Sequence, residues 1–125
     1  MAEILRARSV LAVQNLERSR RFYIDVLGFT EDPISAAGWA FLSKDAFHVM
    51  LGECADEVPA SSIGNHSWYI HLLVDDVDEY HRAVRALGAE ILGPPTNRVY
   101  GLREFTLCTP DGHRLMIGQP IAAAG

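Results

Sequence analysis

YGLREFTLCTPDGHRLMIG, residues 100–118, reads as one β-hairpin. Residues 103–108 alternate polar and apolar, Thr109, Pro110, Asp111 and Gly112 form a turn, and residues 113–117 run back out. Pro110 presets the backbone at the first central position of that turn, and Gly112 supplies a positive φ without steric cost. The returning arm ends in an apolar run, so one of its faces is expected to be buried.

Working outward, this hairpin closes a unit that occurs twice. Residues 9–13, SVLAV, suit a strand because β-branched residues fit a pleated surface. Asn15 stands where a helix N-cap belongs. In residues 16–27 the side chains of Leu16, Ser19, Phe22, Tyr23, Val26 and Leu27 recur at helical spacing, and Gly28 ends the helix. A loose strand over 29–34 and strands over 39–42 and 47–51 follow, the last two joined by Ser43, Lys44 and Asp45. Residues 54–65, CADEVPASSIGN, have no periodicity and read as a linker. The pattern then restarts, with a strand over 68–74, Asp76 as cap, a helix over 77–87, and Gly88. Val13 and Val74 are 61 residues apart, as are Leu16 and Val77; Gly28 and Gly88 are 60 apart. A strand, a capped helix ended by Leu-Gly, then further strands, twice over, predicts an α+β fold of two βαβββ modules. Neither module is large enough to bury its helix stripe well by itself. Helices on one face of the sheet leave the other face to curl round a cavity. The expected boundaries are module one at 4–53, linker at 54–65, module two at 66–119 and a tail at 120–125, within one domain.

The composition narrows the function classes. The chain of 125 residues is 49% hydrophobic, enough for a core without a stabilising disulfide or metal. A net charge of -5 opposes nucleic-acid binding and fits a neutral or cationic small ligand. No apolar run is long enough to cross a membrane, and the N-terminus lacks a signal-peptide layout, so a cytoplasmic address is expected. Cys54 and Cys108 have no CxxC spacing and read as reduced thiols. There is no nucleophile elbow, phosphate loop or zinc motif.

Strand alternation sorts the candidate site residues. His48 and Met50 share one face; Tyr69, His71 and Leu73 share one; Arg114 and Met116 share one. Three roles stay open for His48 and His71: a displaced metal pair, acid–base work or hydrogen bonding to a ligand, and polar lining of a groove. Met50, Met116, Trp39, Trp68, Tyr69, Tyr100 and Phe105 supply apolar and aromatic surface, most of it core and some of it cavity wall. Arg103 is either half of a surface salt bridge or a rim clamp for a ligand carboxylate or phosphate. Asp75, Asp76, Asp78 and Glu79 look like helix-cap charges.

Three segments, SVLAVQNLERSRRFYIDVLGF, WYIHLLVDDVDEYHRAVRALGAE and REFTLCTPDGHRLMIG, together resemble the vicinal oxygen chelate superfamily. That group includes glyoxalase I, extradiol dioxygenases, fosfomycin-resistance enzymes and bleomycin-resistance proteins. The resemblance covers nearly the whole chain. It implies paired βαβββ modules forming a curved, cup-shaped mixed sheet with helices on the outer face. Metal-dependent members hold their ion with four His, Glu or Gln ligands, two from each module. Those positions fall here on Arg8, Met50, Tyr69 and Met116, which do not make a divalent-metal site. The nearest branch in outline is therefore the metal-free, bleomycin-resistance-like one. By this resemblance the chain sequesters a partly aromatic small molecule against His48, Met50, Tyr69, His71, Arg103 and Met116, with neither metal nor cofactor. The alternative is a glyoxalase- or dioxygenase-like lyase or isomerase that uses His48 and His71. A homodimer is expected, since members commonly pair modules across subunits. Neither nucleic acid nor membrane is an expected partner.

Overall fold

The structure is a computed structural model that describes residues 1–64 and 68–121. The end of the expected linker at 65, the start of module two at 66 and the tail beyond 121 lie outside the described residues, as does the Trp68 side chain. The chain divides into two compact units, Met1–Pro59 and Ala60–Gly125, so the division falls inside the stretch read as a linker.

The first unit contains β1 (Ser9–Val13), α1 (Leu16–Asp25), β2 (Thr30–Glu31), β3 (Trp39–Lys44) and β4 (Phe47–Glu53). Its sheet order is β1-β4-β3-β2, with β1 parallel to β4 and the other pairs antiparallel. The Asn15 side chain accepts a hydrogen bond from the Arg18 amide at 3.0 Å, capping the orphan donors of α1. The helix lies on β3 and β4. The predicted stripe is the one that packs, with Ser19, Tyr23 and Leu27 buried over Leu42, Val49 and Leu51. Tyr23 meets Phe29 edge to face at 5.2 Å, and Phe29 meets Phe47 at 5.5 Å.

The second unit repeats the plan with β5 (Trp68–Leu73), α2 (Val77–Ala86), β6 (Glu90–Ile91), β7 (Thr96–Asn97), β8 (Leu102–Cys108) and β9 (Arg114–Pro120). Its order is β5-β9-β8-β6, with β5 parallel to β9 and β7 also paired to β8. β6 and β7 are two pieces of one edge, interrupted around Pro94 and Pro95, which have no amide to give to a ladder. Asp76 caps α2 by accepting from the Glu79 amide at 3.1 Å. Phe105, Leu107, Leu115 and Ile117 are buried on the helix side, where α2 lies on β8 and β9.

The hairpin of β8 and β9 turns where the sequence places it: the Gly112 amide donates to the Thr109 carbonyl at 2.9 Å, and Gly112 has φ 87°. The tertiary structure adds a second demand for glycine. A Cβ there would lie 2.5 Å from the Ser61 amide nitrogen, in a short 3-10 turn (Ala60–Ser62) that the linker reading did not anticipate. The fold is thus mixed α+β with two βαβββ sheets, as the repeat predicts. Among the described residues no helix is long and apolar enough to cross a membrane.

Candidate functional site

In the first unit, alternation delivers the expected face. Val49 and Leu51 are buried beneath α1, so His48 and Met50 stand on the opposite side of β4. Met50 pairs with Phe41 and Val10, and His48 with Ser43. The Arg8 guanidinium lies over the Phe41 ring, 5.7 Å from its centre. Trp39 covers Gly52, whose absent Cβ would lie 2.9 Å from the indole. Nδ1 of His48 is buried and has no hydrogen-bond partner among the described residues.

In the second unit the corresponding face is more polar. His71 pairs with Met116 across β5 and β9, and Met116 with Thr106 across β9 and β8. These side chains therefore share a face, as alternation requires. One step further along that face, Gly118 of β9 pairs with Glu104 of β8. The Gly118 Cα carries nothing, and two side chains meet above it. His71 Nε2 is 3.4 Å from Glu104 Oε2. A Cβ at 118 would come within 3.3 Å of that same Nε2 and 3.5 Å of the Glu104 Cβ. Glu104 is only 3% exposed, unusual for a carboxylate. Its other partner among the described residues is Arg98, whose Nε is 3.6 Å from Oε1 and whose side chain is half exposed.

Arg98 belongs to a tight turn between β7 and β8. Its amide donates to the Leu102 carbonyl at 2.7 Å, and the Gly101 amide donates back to the Arg98 carbonyl at 3.1 Å. Gly101 takes φ 91°, which favours glycine. This turn lifts Arg98, Val99 and Tyr100 above the sheet. Between them and the floor of Glu104, Thr106 and Met116 lies an open cavity of about 510 Å³. Val99 and Tyr100 are largely solvent-exposed, an apolar and aromatic wall facing a carboxylate.

Two expected site residues are placed differently. Tyr69 sits at the irregularity of β5 between Trp68 and Ile70, so simple alternation no longer fixes its side. Its ring meets His113 edge to face at 5.0 Å, and burial pushes its phenol above the ordinary value. Arg103 is the second case. It lies on the helix side of β8, next to Phe105 rather than Glu104 in alternation. Its guanidinium grips Asp78 of α2 through Nε and Nη2 at 3.0–3.2 Å and donates to Asn97 Oδ1 at 3.1 Å. That fork holds the Asp78 carboxyl below its usual range. Of the two readings, the salt bridge is the one these contacts display. Phe105 is core, meeting His81 at 5.0 Å.

Glu104, Thr106 and Arg98 were not singled out by sequence. No local signal could have found them: it is the strand register pairing Thr106 with Met116 that puts Glu104, two residues away, on the same face. Around the hairpin turn, His113 is buried, with its amide donating to Thr109 Oγ1 at 3.1 Å. Desolvation lowers its pKa, with Asp111 opposing. Cys108 is likewise buried, and its thiol is pushed up by burial and by Glu90.

The model of the Glyoxalase/Bleomycin resistance protein/Dioxygenase superfamily matches residues 5–117. The chain belongs to this superfamily. An uncharacterised protein of Mycobacterium bovis is 30% identical over 126 aligned positions, covering 89% of this chain and 80% of that one. Two solved structures share the fold. TnmS3, an antibiotic binding protein from Streptomyces sp. CB03234, has TM-score 0.77 at 22% identity and covers 96% of this chain and 98% of its own. TioX from Micromonospora sp. ML1 has TM-score 0.73 at 24% identity and covers 93% and 98%.

The metal held by the superfamily's metal-dependent members does not fit the residues present at its ligand positions. Arg8 is a cation stacked on Phe41, Met50 and Met116 offer thioethers, and Tyr69 is a phenol turned to His113. Divalent ions of that kind are held by imidazole, carboxylate, amide-oxygen or water donors instead. Among the described residues no three His, Cys, Asp or Glu side chains are grouped to hold an ion.

Proposed function

We propose that this protein is a small-molecule-binding member of its superfamily, of the metal-free bleomycin-resistance-like kind, and that it sequesters a partly aromatic ligand. The carrying observation is the second unit's open cavity of about 510 Å³, walled by Val99 and Tyr100 and floored by Met116, Thr106 and Glu104. Apolar and aromatic lining with a few polar groups is the usual character of ligand sites. A thioether and a phenol ring suit flat, irregular molecules. The donor set at the superfamily's metal positions supports binding without that ion. A fold relative named as an antibiotic binding protein makes aromatic antibiotics the first ligands to try. Tyr69 and His71 are carried in this reading as further ligand contacts on the second unit, His48 and Met50 as ligand contacts on the first, and the protein as a cytoplasmic homodimer.

One observation favours a second reading, a lyase or isomerase working by acid–base chemistry. The Glu104 carboxylate beside the His71 imidazole could orient its ring and fix its tautomer, as a base needs. His48, with its buried Nδ1, is the other candidate base. A thermal-shift screen of aromatic antibiotics, run beside a turnover assay with 2-oxoaldehyde–thiol adducts, separates the two. A ligand bound by the folded state raises Tm, and saturable binding without turnover supports sequestration. Turnover abolished by His71→Asn would instead establish the enzyme.

A further inference from the structure

Resting on the reading that the second unit's cavity holds a small molecule, we infer that Glu104 anchors a protonated amine or similar N–H-rich cation of that ligand. Arg98 keeps the place while the ligand is absent. Glu104 is 3% exposed, yet among the described residues its polar contacts are His71 at 3.4 Å and Arg98 at 3.6 Å. Neither is a short charge-assisted hydrogen bond, which would lie near 2.7–2.9 Å. A buried carboxylate without close donors is costly, so the unmet demand at this site is for a cation.

The two charged groups in the cavity differ in what they need. Arg98 is half exposed on a turn and can be solvated where it stands, and an ion pair of that kind is weak and easily exchanged. Glu104 is fixed on the central part of β8, paired with Gly118, and cannot move out to water. A ligand ammonium that displaces Arg98 therefore gains a close partner, and Arg98 loses little. Tyr100 adds an aromatic face beside the same carboxylate, which attracts a flat cation by stacking and by its ring quadrupole. Gly118 matters here too. With no side chain at 118, nothing fills the space between the Glu104 side chain, which lines the cavity, and the His71 imidazole.

Three tricyclic probes of one shape test the charge: 9-aminoacridinium, neutral acridone and acridine-9-carboxylate, titrated by fluorescence near neutral pH. The cation should bind at least about tenfold tighter than acridone, and the anion weakest, as expected for a hydrogen bond to a charged group. Glu104→Gln should erase that preference, and Arg98→Ala should tighten the cation. The Arg98 variant changes an exposed turn and keeps the test alive should Glu104→Gln fold poorly. If the anion binds best, or if removal of Arg98 weakens the cation, the inference fails while the cavity remains a binding site. If neither the tricycles nor aromatic antibiotics bind at all, the binding reading fails and the inference with it.

Discussion

His71 Nε2 and Glu104 Oε2 lie 3.4 Å apart although their strands, β5 and β8, are not neighbours. β9 runs between them, and the two side chains meet across it because the intervening position is Gly118. Gly118→Ala would put a methyl group 3.3 Å from Nε2 and 3.5 Å from the Glu104 Cβ. The variant should stay folded, losing about 1–3 kcal/mol, since the crowded neighbours are side chains that can shift. It should weaken 9-aminoacridinium binding and shift the ¹⁵N resonance of His71 Nε2. An unchanged resonance would show that the two groups are not coupled.

Gly112→Ala should be far more damaging. The residue has φ 87°, and a Cβ would overlap the Ser61 backbone at 2.5 Å. Left-handed strain and overpacking together predict a loss of about 2–4 kcal/mol, measurable by urea denaturation. Ser61→Gly relieves only the Cβ part of the clash and should rescue little.

Replacing Arg103 should lower stability without touching ligand affinity, because its guanidinium is engaged with Asp78 and Asn97 on the helix side of β8. Arg103→Lys keeps the charge but loses the two-pronged grip, so it should recover only part of the loss. The pH dependence has a definite sign. Asp78 titrates lower in the folded chain than in the unfolded one, owing first to the Arg103 hydrogen bonds. Its contribution is present above the ordinary carboxylate value of 3.8 and is lost as pH falls through the depressed one. Asp78→Asn should flatten that acid limb in a Tm-against-pH series.

His113 gives a second limb nearer neutrality. Burial depresses its pKa below the ordinary imidazole value of 6.5, so the unfolded chain takes up a proton that the folded chain resists. Stability from this source is complete above 6.5 and falls as pH drops below it. His113→Gln should remove that slope, at the cost of the ring contact with Tyr69 at 5.0 Å. A slope that persists in the variant would assign it to another group.

Tyr69→Ala tests two placements. Loss of the half-buried ring against His113 should cost about 1–3 kcal/mol of stability. If it also weakens binding of an aromatic ligand by a similar amount while the protein remains folded, Tyr69 is a ligand contact as well as a support of the hairpin turn. If affinity is unchanged, its role is structural.

The local grammar of this chain was legible in its residues. Caps at Asn15 and Asp76, helix ends at Gly28 and Gly88, the Thr109–Gly112 turn and the repeat offset of about sixty residues each depend on neighbours a few positions away, which a sequence displays directly. Alternation likewise put His48 with Met50 and Arg114 with Met116 on single faces, because a strand's period of two is set by its own backbone. Tertiary structure decided what depends on register between strands. An irregularity in β5 re-aimed Tyr69, and the offset of β8 put Arg103 under α2 and Glu104 over Gly118. A one-residue difference in register exchanges the faces of a whole strand, and nothing local in REFTLC states which of Arg103 and Glu104 meets the helix. The buried carboxylate at the centre of the candidate site arises from that register, and from a glycine fourteen residues further along the chain that leaves room for it.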